Sequence, residues 1–136
     1  MIRSIMRDPM FLSRKSHPAV KEDLPVLDDL LDTLRAHQDS CVGMAANMIG
    51  VSKRIIAIMN GPFPMGMINP VILQKKDPYS AEEGCLSLDG VLKTIRYQTI
   101  VIAFEDRQLN RQQMTFSGWT AQIIQHEMDH LDGILI

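Results

Sequence analysis

One short run near the end of the chain constrains the fold more than any other feature: Gln-His-Glu-Met-Asp-His at residues 125–130, with six residues after it. On an α-helix, His126 and His130 lie about one turn apart on the same face, so both imidazoles can reach a single divalent cation. Glu127 then lies within reach of a water molecule bound to that cation. The run therefore predicts a helix that carries a metal site with a carboxylate beside it.

Catalytic metal sites of this kind usually take a third protein ligand and leave one position open for water. The residues after His130 include Asp132, but its side chain points away from the face shared by the two histidines, so the third ligand is expected upstream. Cys85 is the strongest candidate, because a thiolate on a strand packed over the final helix would complete a Cys-His-His site. A thiol buried in the core is the alternative for this residue. The remaining candidates are interpreted as two surface histidines and one buried thiol, His17, His37 and Cys41.

Length and charge limit the classes of protein that fit this chain. Its 136 residues suit one domain spanning 1–136, and a formal net charge of −2 gives no reason to expect nucleic-acid or anionic-membrane binding. No apolar run approaches the ~20 residues that a membrane span needs, and the N-terminus lacks the apolar stretch of a signal peptide. We therefore expect a cytoplasmic protein whose two cysteines do not form a disulfide.

Two segments have the pattern of helices. Between Lys21 and Gln38, leucines recur at helical spacing, and Pro25 suits the first turn. A second helix is predicted over 118–131, with Ser117 as its N-cap and Gly133 near its C-terminal end. Three of its apolar side chains are predicted to face the core, Trp119, Ile123 and Met128.

Between these helices, β-rich runs alternate with turn residues. Strands are predicted over 54–59, over 67–73 with an interruption at Pro70, and over 99–104 with a return strand at 112–116. A helix, then strands, then a helix predict the α+β class. We expect an N-terminal helix and antiparallel β-sheets packed around the C-terminal helix that carries the His-Glu-x-x-His run.

Three stretches of the sequence match the motifs of a known family. Gln-His-Glu-x-Asp-His-Leu-x-Gly is intact at 125–133, and Glu-Gly-Cys-Leu-Ser is intact at 83–87. A further motif, Gly-x-Gly-apolar-Ala-Ala-x-Gln, is present in altered form at 41–48 as Cys-Val-Gly-Met-Ala-Ala-Asn-Met. With these motifs in the right order over nearly the whole chain, the sequence resembles the bacterial peptide deformylases.

The resemblance implies a metal-dependent hydrolase that removes the N-formyl group from the N-terminal methionine of new polypeptides. It assigns the metal ligands as Cys85, His126 and His130, with Fe²⁺ expected and Zn²⁺, Ni²⁺ or Co²⁺ able to substitute. A metal-bound hydroxide would attack the formyl carbon, with Glu127 as the general base. The backbone N–H of Leu86 would help to stabilise the oxyanion.

The resemblance also implies how a substrate binds and which partners the protein has. The peptide is expected to extend along Val42 and Gly43 like an added strand, and its methionine side chain to enter an apolar pocket with Ile123 in the wall. The expected partners are N-formyl-methionyl nascent chains, which places the protein near the ribosome. Neither direct nucleic-acid binding nor membrane association is expected.

Met48 departs from the family pattern, because it occupies the position where the motif has a glutamine that donates a hydrogen bond to the oxyanion. A thioether cannot donate, and loss of one such donor typically lowers turnover by about 10²–10³. Three interpretations follow: a slowed deformylase, a relative acting on another formyl or acyl substrate, and an inactive metal-binding relative. Glu127 favours an enzyme, since a structural metal needs no general base. A proteolytic zinc enzyme is disfavoured because no third ligand follows His130.

The two cysteines are predicted to behave differently on substitution. Cys85→Ser should lose both metal and hydrolytic activity, because it removes a thiolate ligand. Cys41→Ser should keep the metal. Metal analysis of the two purified variants checks this expectation, and equal metal content in both would contradict the assignment of Cys85.

Overall fold

The computed structural model describes residues 1–84 and 90–135 of the chain. It has three α-helices, α1 (Pro9–Leu12), α2 (Leu24–Ala36) and α3 (Gly118–Leu131), and two short 3₁₀ helices, Lys21–Asp23 and Ala46–Ile49. Its five strands are β1 (Gly43–Ala45), β2 (Ile55–Asn60), β3 (Phe63–Gly84), β4 (Val91–Glu105) and β5 (Arg111–Ser117).

The strands form one sheet in the order β1-β2-β3-β4-β5, and every neighbouring pair is antiparallel. The first six residues of β3 pair with β2, while most of the strand pairs with β4. Two register shifts interrupt the β3–β4 pairing, one between Ile68 and Val71 and one between Ile72 and Gln74. The first of these surrounds Pro70, which confirms the interruption predicted there. The predicted α+β class is confirmed.

Both longer helices pack on this sheet. The leucine stripe of α2, at Leu27, Leu30 and Leu34, is buried against β1, β2 and β3. Helix α3 contacts β1, β2, β4 and β5, and most of its residues from Ala121 to Leu131 are buried. The apolar core joins these two helices to the sheet and so fixes the position of α3, which carries the histidine run.

The predicted helices and the central strands are confirmed, but one strand was predicted too short. The run 67–73 is part of β3, which continues to Gly84 and pairs there with β4. Residues 74–84 are largely polar and include Pro78, so they lack the apolar alternation that marks a strand in sequence. Pairing with β4 satisfies their backbone groups instead. Across all described residues, no helix is long and apolar enough to cross a membrane.

Two details of α3 differ from expectation. Trp119 was predicted to face the core, but this prediction is wrong: the side chain is 62% exposed and lies at the rim of a cavity. Ser117 occupies the N-cap position, yet its side chain makes no capping hydrogen bond and instead lies 3.1 Å from the Thr99 hydroxyl. Ile123 and Met128 are buried as predicted.

Candidate metal and catalytic site

Helix α3 brings the side chains of His126, Glu127 and His130 together. One potential ligand atom from each residue lies within 4.8 Å of those of the other two. The two imidazole rings meet edge to face, with their centroids 4.4 Å apart. All three residues are buried, at 8%, 3% and 5% exposure, so the cluster is removed from bulk water.

A carboxylate fixes the orientation of each imidazole. Nδ1 of His126 donates to Oε1 of Glu83 at 2.7 Å, and Nδ1 of His130 donates to Oε1 of Glu127 at 3.0 Å. A carboxylate accepts these hydrogen bonds, so each Nδ1 carries a proton, and in the neutral imidazole Nε2 is then the nitrogen that can ligate a metal. Metal-ligating histidines are held in this way by partners at their other ring nitrogen. The residues present therefore fit a divalent cation.

Glu83 is itself held by a buried arginine. Two nitrogens of Arg96 donate to Glu83: Nε to Oε2 at 2.9 Å and Nη2 to Oε1 at 2.7 Å. The third nitrogen, Nη1, donates to Asp129 at 2.6 Å. Burial alone raises the pKa of Glu83. The hydrogen bonds from His126 and Arg96, together with the arginine charge, outweigh burial and lower that pKa from 4.5 to about 2. Glu83 is thus an anion at neutral pH and keeps the His126 tautomer fixed.

A cavity of about 430 Å³ opens beside this cluster. Its lining includes His126 and Glu127, the three residues predicted to bind the substrate, Val42, Gly43 and Ile123, and also Met48. Trp119 lies at the same cavity, which accounts for an exposed aromatic side chain on α3. The structure therefore brings the predicted pocket residues and the predicted base to one place.

Gly43 is required for the close approach of β1 to α3. A Cβ atom built at this position would lie 2.7 Å from Cγ2 of Ile123 and 2.9 Å from Oε2 of Glu127. Any other residue would displace one of these two side chains. The absence of a side chain thus lets a backbone segment lie directly against the carboxylate.

The last two residues of the altered motif at 41–48 have different environments. Met48 lies in the cavity wall, and its sulfur accepts the backbone N–H of Ala45 at 3.4 Å. Asn47 is buried elsewhere and donates to the carbonyl oxygen of His130 at 2.8 Å. Residues 46–49 form a 3₁₀ helix, which separates the directions of these two neighbouring side chains. The Asn47 amide nitrogen binds α3 and does not replace the donor that Met48 lacks.

Several predicted residues lie outside this cluster or outside the described residues. Cys85 and Leu86 fall within 85–89, which the structure does not describe. Cys41 was interpreted as a buried thiol, but it is half-buried at the cavity, where its Sγ donates to the Gly43 carbonyl oxygen at 2.9 Å. His17 is exposed, and His37 bonds the Thr33 carbonyl oxygen through its Nδ1 at 2.9 Å.

Sequence reasoning did not assign roles to Glu83 and Arg96. Glu83 belongs to a recognised motif without a predicted role, and no motif or spacing marks Arg96. The signal available in sequence was the place of Glu83 in the same motif as Cys85, since carboxylates commonly hydrogen-bond the histidine ligands of a metal. The pairing of Arg96 with Glu83 depends on the β3–β4 register, which a single sequence does not reveal.

The fold and the site together define a hydrolase of the class that carries two histidines and a glutamate on one helix. The family model described as polypeptide deformylase matches residues 2–136. A peptide deformylase of Clostridium beijerinckii is 56% identical over 136 residues, which is 100% of both chains. One from Desulfitobacterium hafniense is 40% identical and is aligned over 91% of this chain and 84% of its own.

Solved structures agree with the sequence comparison. The crystal structure of peptide deformylase from Thermotoga maritima is 30% identical, with a TM-score of 0.88 over 99% of this chain and 95% of that one. A Met-Ala-Ser-bound peptide deformylase from Acinetobacter baumannii is 26% identical, with a TM-score of 0.88 over 99% and 97% of the two chains. This chain belongs to the peptide deformylase family, whose members are metal-dependent hydrolases acting on N-formyl-methionyl nascent peptides. These relatives do not favour a non-catalytic metal-binding role.

The low pKa of Glu83 predicts a specific acid sensitivity of the metal-free protein. A carboxyl group with a lowered folded-state pKa stabilises the fold above its unfolded pKa, and this contribution is lost as pH falls through the folded value. For Glu83 the loss runs from about pH 4.5 down to about 2 and amounts to about 3 kcal/mol. Glu83→Gln should therefore be less stable than the parent at pH 6, with the difference shrinking towards pH 2.

Urea unfolding at several pH values measures this difference. The matched control is Glu82→Gln, because Glu82 is the exposed neighbour whose only ion pair, among the described residues, is a 4.0 Å contact with Lys93. Its curve should run parallel to that of the parent. A Glu83→Gln curve that also runs parallel would show that the Arg96 and His126 contacts do not hold this carboxyl ionised.

Proposed function

We propose that this protein hydrolyses the N-formyl group from the N-terminal methionine of new polypeptides through a site built on Cys85, His126, His130 and Glu127. The observation that carries the proposal is the buried His126–Glu127–His130 cluster at the edge of a peptide-sized cavity. Membership of the peptide deformylase family supports the substrate class. We also propose that residues 1–136 form one domain that acts in the cytoplasm near the ribosome.

The metal would be held by Nε2 of His126, Nε2 of His130 and the thiolate of Cys85. We propose Fe²⁺ as the native ion, with Zn²⁺, Ni²⁺ or Co²⁺ as working substitutes, since a thiolate-imidazole donor set suits all of them. Such an ion supplies Lewis acidity and lowers the pKa of water towards ~7. The carboxylates at Nδ1 of each histidine support this role, because they raise the basicity of the ligating nitrogens.

Glu127 is proposed as the general base and then the general acid. Its Oε1 accepts from His130, while its Oε2 faces the position of Gly43, where the substrate backbone would lie. Glu127 would take a proton from water as the water oxygen bonds to the formyl carbon. The carbon–nitrogen bond then breaks, and Glu127 returns the proton to the leaving amine, releasing formate and a free N-terminus.

The substrate backbone is proposed to add to the sheet beside β1. This strand lies at the edge of the sheet in the described part of the chain, and β2 is its one partner there. Val42 accepts the N–H of Met59 on the β2 side, so by alternation the peptide groups of Gly43 face the cavity side. A bound peptide would hydrogen-bond there as an added strand, with Ile123 contacting the methionine side chain. The Met-Ala-Ser-bound relative supports this class of ligand.

Formate release tests the proposed function directly. Protein loaded anaerobically with Fe²⁺, and separately with Ni²⁺, is given formyl-Met-Ala-Ser, and formate is measured over time. We expect metal-dependent turnover that Glu127→Ala reduces to background while retaining the metal. Absence of turnover in metal-loaded parent protein would contradict the proposed reaction. Undiminished turnover in Glu127→Ala would contradict the role of the base.

Met48 generates a separate prediction about the oxyanion. In Met48→Gln the new carboxamide oxygen can accept the Ala45 N–H that the sulfur now accepts, which leaves the amide nitrogen to donate into the cavity. Turnover should rise at least about tenfold, because one oxyanion donor is typically worth about 10²–10³. Steady-state kinetics with formyl-Met-Ala-Ser measure the change. A variant no faster than the parent would mean that the oxyanion is already fully stabilised.

A further inference from the structure

Gln122 touches both the substrate cavity and the support of a proposed metal ligand. It lies on α3 one turn before His126 and forms part of the cavity lining. Its Nε2 donates to Oε2 of Glu83 at 3.0 Å, and Oε1 of the same carboxylate accepts from His126. A single side chain therefore connects the cavity wall to the group that orients an imidazole.

Tyr79 anchors the other end of this amide. Its hydroxyl donates to Oε1 of Gln122 at 2.9 Å. Side chains alternate along β3, so Tyr79 and Glu83 point to the same face of the strand, towards α3, while Ser80 and Glu82 are exposed. The pairing of Tyr79 with Arg96 across the strands places the arginine beside this group as well.

Chemistry leaves one orientation for the Gln122 amide. The NH₂ group of Gln122 faces Oε2 of Glu83, which is the donor-to-acceptor pairing that a carboxylate takes. The amide oxygen then faces Tyr79, which has to donate. Burial and the nearby Glu83 charge raise the pKa of Tyr79 above its ordinary value of 10, so the phenol keeps its proton at neutral pH. Donors and acceptors thus run in one direction from Tyr79 to Gln122 to Glu83.

We propose that Gln122 and Tyr79 are positioning residues for the metal site, acting through Glu83 on the orientation of the His126 imidazole. This inference rests on the proposed metal-binding role of His126. Oε2 of Glu83 has two donors, Nε of Arg96 and Nε2 of Gln122. Without Gln122, Oε2 keeps only its bond from Arg96, so the carboxylate is held from one side and its hydrogen bond with His126 is less tightly directed.

Metal affinity is the readout that a purely structural role would not move. Cobalt(II) dissociation constants are measured by chelator competition for Gln122→Met, Tyr79→Phe and the double variant. Direct partners of metal ligands typically change metal affinity by about 10–100-fold. Gln122 contacts Glu83 and not a metal ligand itself. We therefore expect a loss of cobalt affinity of about 3–10-fold for Gln122→Met and a smaller loss for Tyr79→Phe.

The double variant tests whether Tyr79 acts through Gln122. If it does, Tyr79→Phe weakens cobalt binding in the parent but adds nothing once Gln122 is Met, which is a non-additive cycle. The visible absorption bands of the bound cobalt should shift in both single variants. Additive losses, or dissociation constants equal to that of the parent, would overturn the proposal.

Kinetics separate this role from that of a pocket wall. Tyr79 is not among the residues that line the cavity, so Tyr79→Phe should lower kcat and leave KM for formyl-Met-Ala-Ser unchanged. A change in KM alone for Gln122→Met, with normal cobalt affinity, would reduce Gln122 to a wall residue. Gln113→Met, at an exposed glutamine of β5, is the matched control and should behave as the parent.

The binding and catalytic measurements fail independently. If the parent releases no formate, the proposed reaction is wrong, but the cobalt dissociation constants still decide whether Gln122 positions the site. If Gln122→Met does not fold, as judged by circular dichroism, Tyr79→Phe alone decides. That substitution removes one hydroxyl from a half-buried ring and preserves its packing.

Discussion

The buried ion pair between Glu83 and Arg96 is the interaction on which the site depends. Glu83 comes from the end of β3, Arg96 from β4 and their further partners His126 and Asp129 from α3, so one group of charges ties the long hairpin to the helix. Removing one partner of such a buried pair typically costs about 3–5 kcal/mol, because the other charge is left without compensation. The same contacts that hold the hairpin therefore also hold the imidazole in its tautomer.

A second constraint acts from the opposite side of the cavity. Gly43 brings the edge strand β1 against α3 so closely that a Cβ atom would meet Ile123 and Glu127. The carboxylate is thus enclosed between a backbone and an imidazole, which excludes most bulk water from its surroundings. Charges in such an environment interact more strongly than they do in water. Gly43 thus contributes both to the packing of the site and to the strength of its electrostatic interactions.

The effect of the altered motif at 41–48 on the site depends on the tertiary structure around it. Asn47 and Met48 are neighbours, and of the two only the Asn47 carboxamide can donate a hydrogen bond as the glutamine of the family motif does. The 3₁₀ helix sends Met48 to the cavity and Asn47 to the carbonyl oxygen of His130. A shift of one residue along a tight helix rotates a side chain by about 120°. The Asn47 carboxamide therefore stabilises α3 and supplies no hydrogen-bond donor to the cavity.

The helices and central strands followed from periodicity, and the histidine pair followed from a spacing of four on one helix, because these are properties of neighbouring residues. The polar half of β3 could not be predicted from periodicity, because its strand conformation comes from pairing with β4 and not from its own side chains. Arg96, Gln122 and Tyr79 carry no local signal either. Arg96 and Gln122 meet Glu83 across 13 and 39 residues of sequence, and Tyr79 meets Gln122 across 43, only after β3, β4 and α3 have packed. The candidate site residues on α3 can thus be identified from neighbouring positions in the sequence, while their hydrogen bonding and orientation arise from contacts between elements distant in the chain.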